Sequence, residues 1–226
     1  MRKKKKGYLS YADFHDHYPK FNLGTLVVAI CCTCLLISSS FIQLLPGIVT
    51  IPEQLITDPI NFFNSGFSLK QFALSFNYLP QVPVALFIGA LLGPRHGTFA
   101  VILYILVALL GYPVFSMGGG FDYITNPSFG YIIGFIFGAY IVGKNLEHNV
   151  STLSIFLSSV IGVLTIHIIG ILFLMLALFI HKELASSILG YIWLFTGIQF
   201  IYDIAISIIA ISIARPVRGV LWLAMN

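Results

Sequence analysis

The sequence predicts an all-α integral membrane protein with six transmembrane helices, both termini in the cytoplasm and a re-entrant glycine-rich outer loop. Composition is the first observation behind this fold class. Of the 226 residues, 58% are hydrophobic and 9% are charged, whereas a soluble domain carries about 25% charged residues. The second observation is the presence of long uncharged stretches, because a helix needs about 20 such residues to cross a bilayer.

Six apolar stretches predict the helices, and turn-forming residues separate them. The spans are expected at about residues 23–45, 79–93, 97–112, 128–143, 151–180 and 186–214. Glycine and proline at 93–97 close a hairpin between the second and third spans, because neither continues a helix cheaply. Pro216 is expected to end the last span. A basic cytoplasmic leader at 1–22 and a cytoplasmic tail at 216–226 then flank one membrane domain at 23–215.

The basic residues predict the orientation. If six spans alternate, Lys70 and Lys182 lie on one side, and the other ten of the 12 lysines and arginines share the side of both termini. Basic residues prefer cytoplasmic loops, so both termini are expected in the cytoplasm of a multi-pass cell-membrane protein. The net charge of +4 therefore indicates orientation in a lipid bilayer, and no nucleic acid partner is expected.

Motifs for catalysis and metal binding are not found. The chain has no His-Glu-x-x-His, no Gly-x-Ser-x-Gly and no nucleotide-binding motif. Cys31, Cys32 and Cys34 lie together in the first span, where thiols are usually apolar fillers, without a second Cys or His pair. No enzyme activity, metal or cofactor is therefore expected. Energy for any active process must therefore come from an ion gradient or another subunit.

A small-molecule cavity is predicted on the outer side, beside the short second and third spans. The third span has about 15 residues, or about 22 Å of helix. Backbone polar groups at membrane depth are tolerated only beside protein or a water-filled cavity. A glycine-rich loop with aromatic neighbours follows, which suits a ligand site, although an ordinary flexible loop is an equal alternative. The residues expected to line the cavity are Phe115, Gly118, Gly119, Gly120, Tyr123 and Tyr131.

Two ionisable residues, Asp203 and His167, lie deep in the predicted spans. Asp203 is inside the sixth span, and Gln199 precedes it by one turn. A carboxylate at this depth is costly and normally faces the bundle interior, where it is paired or functional. Asp203 and Gln199 are therefore added to the predicted site. His167, in the fifth span, is expected to be a core residue more often than a ligand contact.

Two further segments are expected to pack or to gate. Glycines at four-residue intervals, Gly130, Gly134 and Gly138, predict a face of the fourth span that packs closely against a neighbouring helix. The long connection at 50–77 is interpreted as a gate over the cavity, with Phe62 and Phe63 at the membrane interface. An inert interfacial segment is the equal alternative.

Four motifs follow one another between about residues 80 and 143. They are Gly89-Ala-Leu-Leu-Gly-Pro-Arg95, Gly111-Tyr-Pro-Val-Phe115, Gly118-Gly-Gly120 and Phe129-Gly-Tyr-Ile-Ile-Gly-Phe135. In this order they resemble the BioY family, the biotin-binding membrane subunits of energy-coupling-factor transporters. The resemblance implies high-affinity capture of biotin and assembly with a transmembrane coupling protein and two cytoplasmic ATPases. It also implies that Asp203 and Gln199 bind the ureido group, while Tyr123 and Phe115 pack on the rings.

The chain departs from the family pattern at three points. Many members carry Asp-x-x-Lys in the last helix, whereas Ile206 follows Asp203 here, so a lysine partner for the biotin carboxylate is not evident. The motif Pro127-Ser-Phe-Gly-Tyr131 replaces Pro-Thr-x-Gly-Tyr. Small residues in the first helix of relatives dock the coupling protein, and the partial matches here are Gly24, Thr25 and Ala29.

Three alternative functions are kept. A binding subunit for another vitamin has the same topology and altered pocket residues. A self-sufficient secondary transporter takes up its substrate by ion coupling, for which Asp203 is the relevant carboxylate. A membrane-embedded enzyme requires turnover that depends on Asp203 or His167.

Overall fold

The computed structural model describes residues 22–44, 47–49, 61, 73–75, 78–147, 150–180, 192 and 195–225. Two short strands, β1 Gly47–Val49 and β2 Ala73–Ser75, pair antiparallel, and a short 3₁₀ helix occupies Phe121–Thr125. The rest of the regular structure in these residues is helical. Its elements are α1 Leu23–Ser39, α2 Gln81–Leu109, α3 Phe129–Asn145, α4 Thr152–Ile180 and α5 Gly197–Met225.

Three of the described helical segments are long and apolar enough for membrane crossing, although the first of them is folded into two shorter arms at Gly93. They are Gln81–Leu109, Thr152–Ile180 and the Gln199–Leu221 part of α5, while Leu23–Ser39 and Phe129–Asn145 are apolar but shorter. The chain is therefore a multi-pass membrane protein built from helices, as its composition predicts. The basic leader lies outside the described residues except for Asn22, which caps α1 by accepting the N–H of Thr25.

Helix α2 is a hairpin of two arms rather than one straight helix. Gly93 has φ 84° and ψ 179°, which glycine adopts far more readily than other residues. Pro94 opens the second arm, where its missing N–H is tolerated. A Cβ placed on Gly97 would lie 2.9 Å from the Cα of Gly89, so the arms at 81–92 and 94–109 are in direct contact. The predicted hairpin is confirmed, with a single non-helical residue as its turn.

Glycine contacts hold α3 in the middle of the bundle. A Cβ on Gly134 would lie 2.9 Å from the Ile166 carbonyl oxygen of α4, and one on Gly138 would lie 2.8 Å from the Ile166 side chain. On the side of α2, a Cβ on Gly89 would overlap the backbone of Ala139. Such approaches are open only to glycine. The predicted buried glycine face is therefore confirmed.

The described helical segments overlap the stretches predicted as spans, and two of their ends differ from the prediction for a structural reason. Helix α1 ends at Ser39, short of residue 45, and the chain beyond it pairs Leu44 with Tyr78. Helix α5 continues through Pro216, where the sequence predicts its end, to Met225. Arg218, one half-turn beyond the proline, is buried and donates to carbonyl groups of α2, which anchors this part of the helix.

Candidate ligand-binding site

A cavity of about 390 Å³ lies between the residues before α2, the loop after α2, and helices α3, α4 and α5. This volume is within the range of about 300–1,000 Å³ that is usual for small-molecule sites. Apolar side chains with a few polar groups form its wall. The lining residues are Gln43, Leu79, Gln81, Val82, Ser116, Met117, Tyr123, Ser128, Tyr131, Ile132, Phe135, His167, Phe195, Gln199 and Asp203.

A chain of hydrogen bonds runs through the wall to Asp203. Tyr131 Oη lies 2.9 Å from Thr196 Oγ1, and His167 Nδ1 lies 3.2 Å from the same hydroxyl. The other ring nitrogen, His167 Nε2, lies 3.1 Å from Asp203 Oδ2. Tyr78 donates its hydroxyl to Asp203 Oδ1 at 2.7 Å. A neutral imidazole satisfies this chain when Tyr131 donates to Thr196, Thr196 to Nδ1, and Nε2–H to the carboxylate.

This network explains how Asp203 is accommodated at 2% exposure. A buried carboxylate requires hydrogen-bonded partners, and Tyr78 and His167 supply one to each oxygen. A carboxylate has about four acceptor positions, so two bonds leave it able to accept more. Asp203 can therefore receive N–H donors from a ligand in the cavity that it lines.

Hydroxyl groups occupy another part of the wall. Ser128 donates its hydroxyl to Asn126 Oδ1 at 2.7 Å, which leaves Tyr123 as the donor across the 3.2 Å between Tyr123 Oη and Ser128 Oγ. Burial raises the pKa of Tyr123, so the phenol stays protonated. These side chains are held in place by the turn that leads into α3.

The glycine-rich loop lies beside the cavity, but its glycines are not among the lining residues. Phe115 and Gly118 exchange two backbone hydrogen bonds, of 2.9 and 3.1 Å, which close a tight turn. The two residues between them, Ser116 and Met117, line the cavity. Gly120 donates its N–H to a carbonyl at the end of α2 at 2.8 Å, and its φ of 100° requires glycine. The loop is thus held against α2.

Phe115 belongs to an aromatic cluster behind the cavity. It is 1% exposed, and its ring centroid lies 5.3 Å from Tyr104, 4.6 Å from Tyr123 and 6.3 Å from Phe129. Phe115 is not among the lining residues. Its contact with Tyr123, which does line the cavity, gives Phe115 a supporting position.

The structure brings together only part of the predicted site. Tyr123, Tyr131, Gln199 and Asp203 line the same cavity, whereas Phe115 and the three glycines at 118–120 do not. The sequence places Phe115 and these glycines at the ligand because they share one loop with Tyr123. In the folded chain, Gly120 bonds the Ala108 carbonyl of α2, and Gly118 closes the tight turn with Phe115. Phe62 and Phe63, the predicted gate, lie outside the described residues.

The predicted docking residues face the interior of the bundle. Thr25 is fully buried and bonded to Asn22, and Ala29 is 1% exposed, while Gly24 is half-buried. The exposed face of α1 carries larger side chains, such as Val27 and Ile30. Thr25 and Ala29 are therefore not available to a partner in this structure, because they pack within the chain.

Several polar residues of the site are outside the predicted set, among them His167, Tyr78, Gln81 and Thr196. The sequence predicts a core residue at His167, although its depth in an apolar helix is a signal for a site residue. Tyr78, Gln81 and Thr196 carry no such signal, because single polar residues in or beside connections are common. Gln81 also has an unusual feature: its Nε2 is buried and has no hydrogen-bond partner among the described residues.

Sequence comparison places these features in a known group of proteins. The BioY family model matches residues 71–221, which include every lining residue of the cavity except Gln43. The chain is 35% identical over 117 residues to a probable biotin transporter BioY of Lysinibacillus sphaericus, covering 48% of this chain and 60% of the relative. It is 32% identical over 106 residues to the biotin transporter BioY of Thermotoga maritima, covering 45% and 62%.

A longer match and a solved structure extend the comparison. The chain is 30% identical over 140 residues to a probable biotin transporter BioY of Pyrococcus horikoshii, covering 62% of this chain and 78% of the relative. The crystal structure of the S-component for biotin from an ECF-type ABC transporter has the same fold, with a TM-score of 0.60 at 23% identity. That match covers 88% of this chain and 95% of the other. On the evidence of the family match and these relatives, this chain is a member of the BioY family.

Proposed function

We propose that this protein binds biotin with high affinity, as the substrate-binding subunit of an ATP-driven energy-coupling-factor transporter. The relatives named above are described as biotin transporters, and the protein of similar fold is an S-component for biotin. One observation on this chain carries the proposal: the buried Asp203 carboxylate lines a cavity of small-molecule size. A transmembrane coupling protein and two cytoplasmic ATPases are the proposed partners, since the sequence has no nucleotide-binding motif of its own.

The cavity suits the polar and apolar parts of biotin. Its ureido group offers N–H donors, which Asp203 can accept, and Gln199 lies on the same wall. Tyr131 and Phe135 supply aromatic surface for the fused rings. No lysine or arginine is among the lining residues that the structure describes. We therefore place the carboxylate tail toward the exposed end of the cavity, near Met117, where water solvates it.

We also propose six membrane spans with both termini in the cytoplasm. This topology requires the C-terminal part of α5 and the Gly93 turn to lie on the same side of the membrane. In support of it, Arg218 of α5 contacts the carbonyl of Leu91, beside the Gly93 turn. The C-terminal part of α5 and the Gly93 turn thus lie at the same end of the bundle. Leu79 and Ser116, which line the cavity, lie just outside α2, beyond the ends of its arms that are away from the Gly93 turn.

Equilibrium binding of labelled biotin to the detergent-purified protein tests the function, with riboflavin and thiamine as competitors. We expect saturable nanomolar binding that Asp203→Ala weakens at least tenfold, about 1.4 kcal/mol. Ser207→Ala is the matched control, because Ser207 is buried on the same helix one turn later and does not line the cavity. Absence of biotin binding by folded protein would disprove the proposed substrate. Equal binding by Asp203→Ala would disprove the assigned site.

A binding subunit for another vitamin is the second candidate. The observation that favours it is the lack of a basic residue among the described lining residues, which suits a ligand without a carboxylate. It predicts that riboflavin or thiamine displaces biotin, or that one of them binds to the protein and biotin does not. The same competition experiment therefore separates the two candidates.

A further inference from the structure

Tyr78 lies in the connection before α2 and is 1% exposed. Its hydroxyl donates to Asp203 Oδ1 at 2.7 Å, and its ring centroid lies 5.9 Å from that of Tyr202 on α5. Burial, and then the neighbouring Asp203 carboxylate, raises the pKa of Tyr78, so its hydroxyl stays protonated as a donor.

The two oxygens of Asp203 are therefore held by two different parts of the chain. His167 of α4 bonds Oδ2, and Tyr78 bonds Oδ1 from outside the helices. Donors on both oxygens define the plane of the carboxylate. The remaining acceptor positions then have a set direction, which reduces the ordering that a ligand must impose on binding.

The backbone of Tyr78 pairs with that of Leu44, in the register of the β1–β2 pair. Its N–H donates to the Leu44 carbonyl at 2.8 Å, and the Leu44 N–H donates to the Tyr78 carbonyl at 2.9 Å. Gly47 pairs with Ser75 in the strands, and the Leu44–Tyr78 pair continues the same register. A shift of the Leu44–Tyr78 pair would thus move the phenol relative to Asp203.

We infer that Tyr78 is a positioning residue, which orients Asp203 for the ligand and links the strand hairpin to the occupancy of the cavity. This inference rests on the proposed function for its ligand, but the link itself has a ligand-free test. When a ligand donor bonds Asp203, the carboxylate side chain loses motion, and the Tyr78 phenol that bonds it loses motion with it. The Leu44–Tyr78 backbone bonds are expected to open less often as a result.

Tyr78→Phe tests the inference, because it keeps the ring and removes the donor. We expect the biotin Kd to rise at least about tenfold, whereas Tyr202→Phe, the same change on the neighbouring ring, alters it by less than about twofold. Hydrogen exchange is measured in parallel on peptides that contain Leu44 and Tyr78. Biotin should slow this exchange in the unaltered protein, and should not slow it in Tyr78→Phe at saturating biotin.

A second arm uses the empty protein and separates this inference from the proposed function. Asp203→Ala should speed exchange at Leu44 and Tyr78, while Ser207→Ala leaves it unchanged; this arm decides if Tyr78→Phe does not fold. Unchanged exchange in Asp203→Ala would overturn the link, whatever the ligand is. Unaltered biotin affinity in Tyr78→Phe, or equal protection by biotin, would overturn the positioning role. Failure of the unaltered protein to bind biotin contradicts the proposed substrate instead.

Discussion

The side chains of the cavity wall differ in how fully their hydrogen bonds are satisfied. Both carboxylate oxygens of Asp203 and both ring nitrogens of His167 have a hydrogen-bond partner. Gln81, in contrast, lines the cavity with a buried Nε2 that has no partner among the described residues. An unpaired buried donor costs about 1–3 kcal/mol. A residue that lowers stability beside a binding cavity is best explained by a bond that it makes to the ligand.

We therefore expect Gln81→Leu to leave the thermal stability of the empty protein unchanged or higher, and to weaken biotin binding about fivefold, or about 1 kcal/mol. Rotation of the glutamine side chain would bring the amide N–H to a ligand oxygen, which leucine cannot bond. Thermal unfolding in detergent and equilibrium binding measure the two effects. Gln43→Leu, an exposed glutamine of the same cavity, is the control. Lower stability with unchanged affinity would show that Gln81 is structural.

Among the elements, the α2 hairpin depends on a distant helix. Its first arm ends at the Gly93 turn, and the last carbonyl groups of a helix lack partners within it. Arg218 of α5 donates from Nε to the Leu91 carbonyl at 3.0 Å, and from Nη2 to the Ala90 carbonyl. A cation at this helix end is also favoured by the helix dipole. Arg218 thus joins the last helix to the first hairpin.

We expect Arg218→Leu to lower the free energy of unfolding by about 2 kcal/mol, because the carbonyl groups lose a charged donor while buried. Arg215→Leu makes the same change of charge and type at an exposed position three residues earlier, and should alter stability by less than about 0.5 kcal/mol. Thermal and denaturant unfolding of both variants give the comparison. Equal losses would mean that charge alone, rather than the contact with α2, determines the effect.

For the whole molecule, the proposed orientation in the membrane rests on where the charged residues lie. Arg95 and Arg215 are exposed, and the contact of Arg218 with the Gly93 turn places them at one end of the bundle. This end corresponds to the predicted cytoplasmic side. Under the proposed topology, the cavity, with Ser116 and Met117 at its wall, is expected to face the outside.

Cysteine labelling in cells tests this orientation. In a background that lacks Cys31, Cys32 and Cys34, a membrane-impermeant maleimide should label Tyr112→Cys in intact cells, because Tyr112 is exposed in the loop after α2. Arg95→Cys should react only after the membrane is permeabilised. The reverse pattern would invert the proposed topology, and labelling of both positions in intact cells would exclude a span between them.

The helices were predictable from the sequence because long apolar runs and their glycine and proline breaks are local signals. The hairpin at Gly93 and the close face of α3 through Gly134 belong to this group. The continuation of α5 past Pro216 does not, since a contact from Arg218 to a helix more than a hundred residues away supports it. A rule based on the residues next to the proline cannot take that long-range contact into account.

The binding site also combines features that local sequence signals predict with features that only long-range contacts create. Composition, the charge distribution and the family motifs establish a membrane protein, its class and the deep carboxylate at Asp203. The neighbours of that carboxylate come from separate places in the chain: Tyr78 from a connection, His167 from α4 and, one bond further, Thr196. A side chain that is unremarkable in its own segment becomes part of the site through long-range packing. Hydrogen bonds across such sequence distances leave no periodic pattern, so they appear only once the helices are assembled.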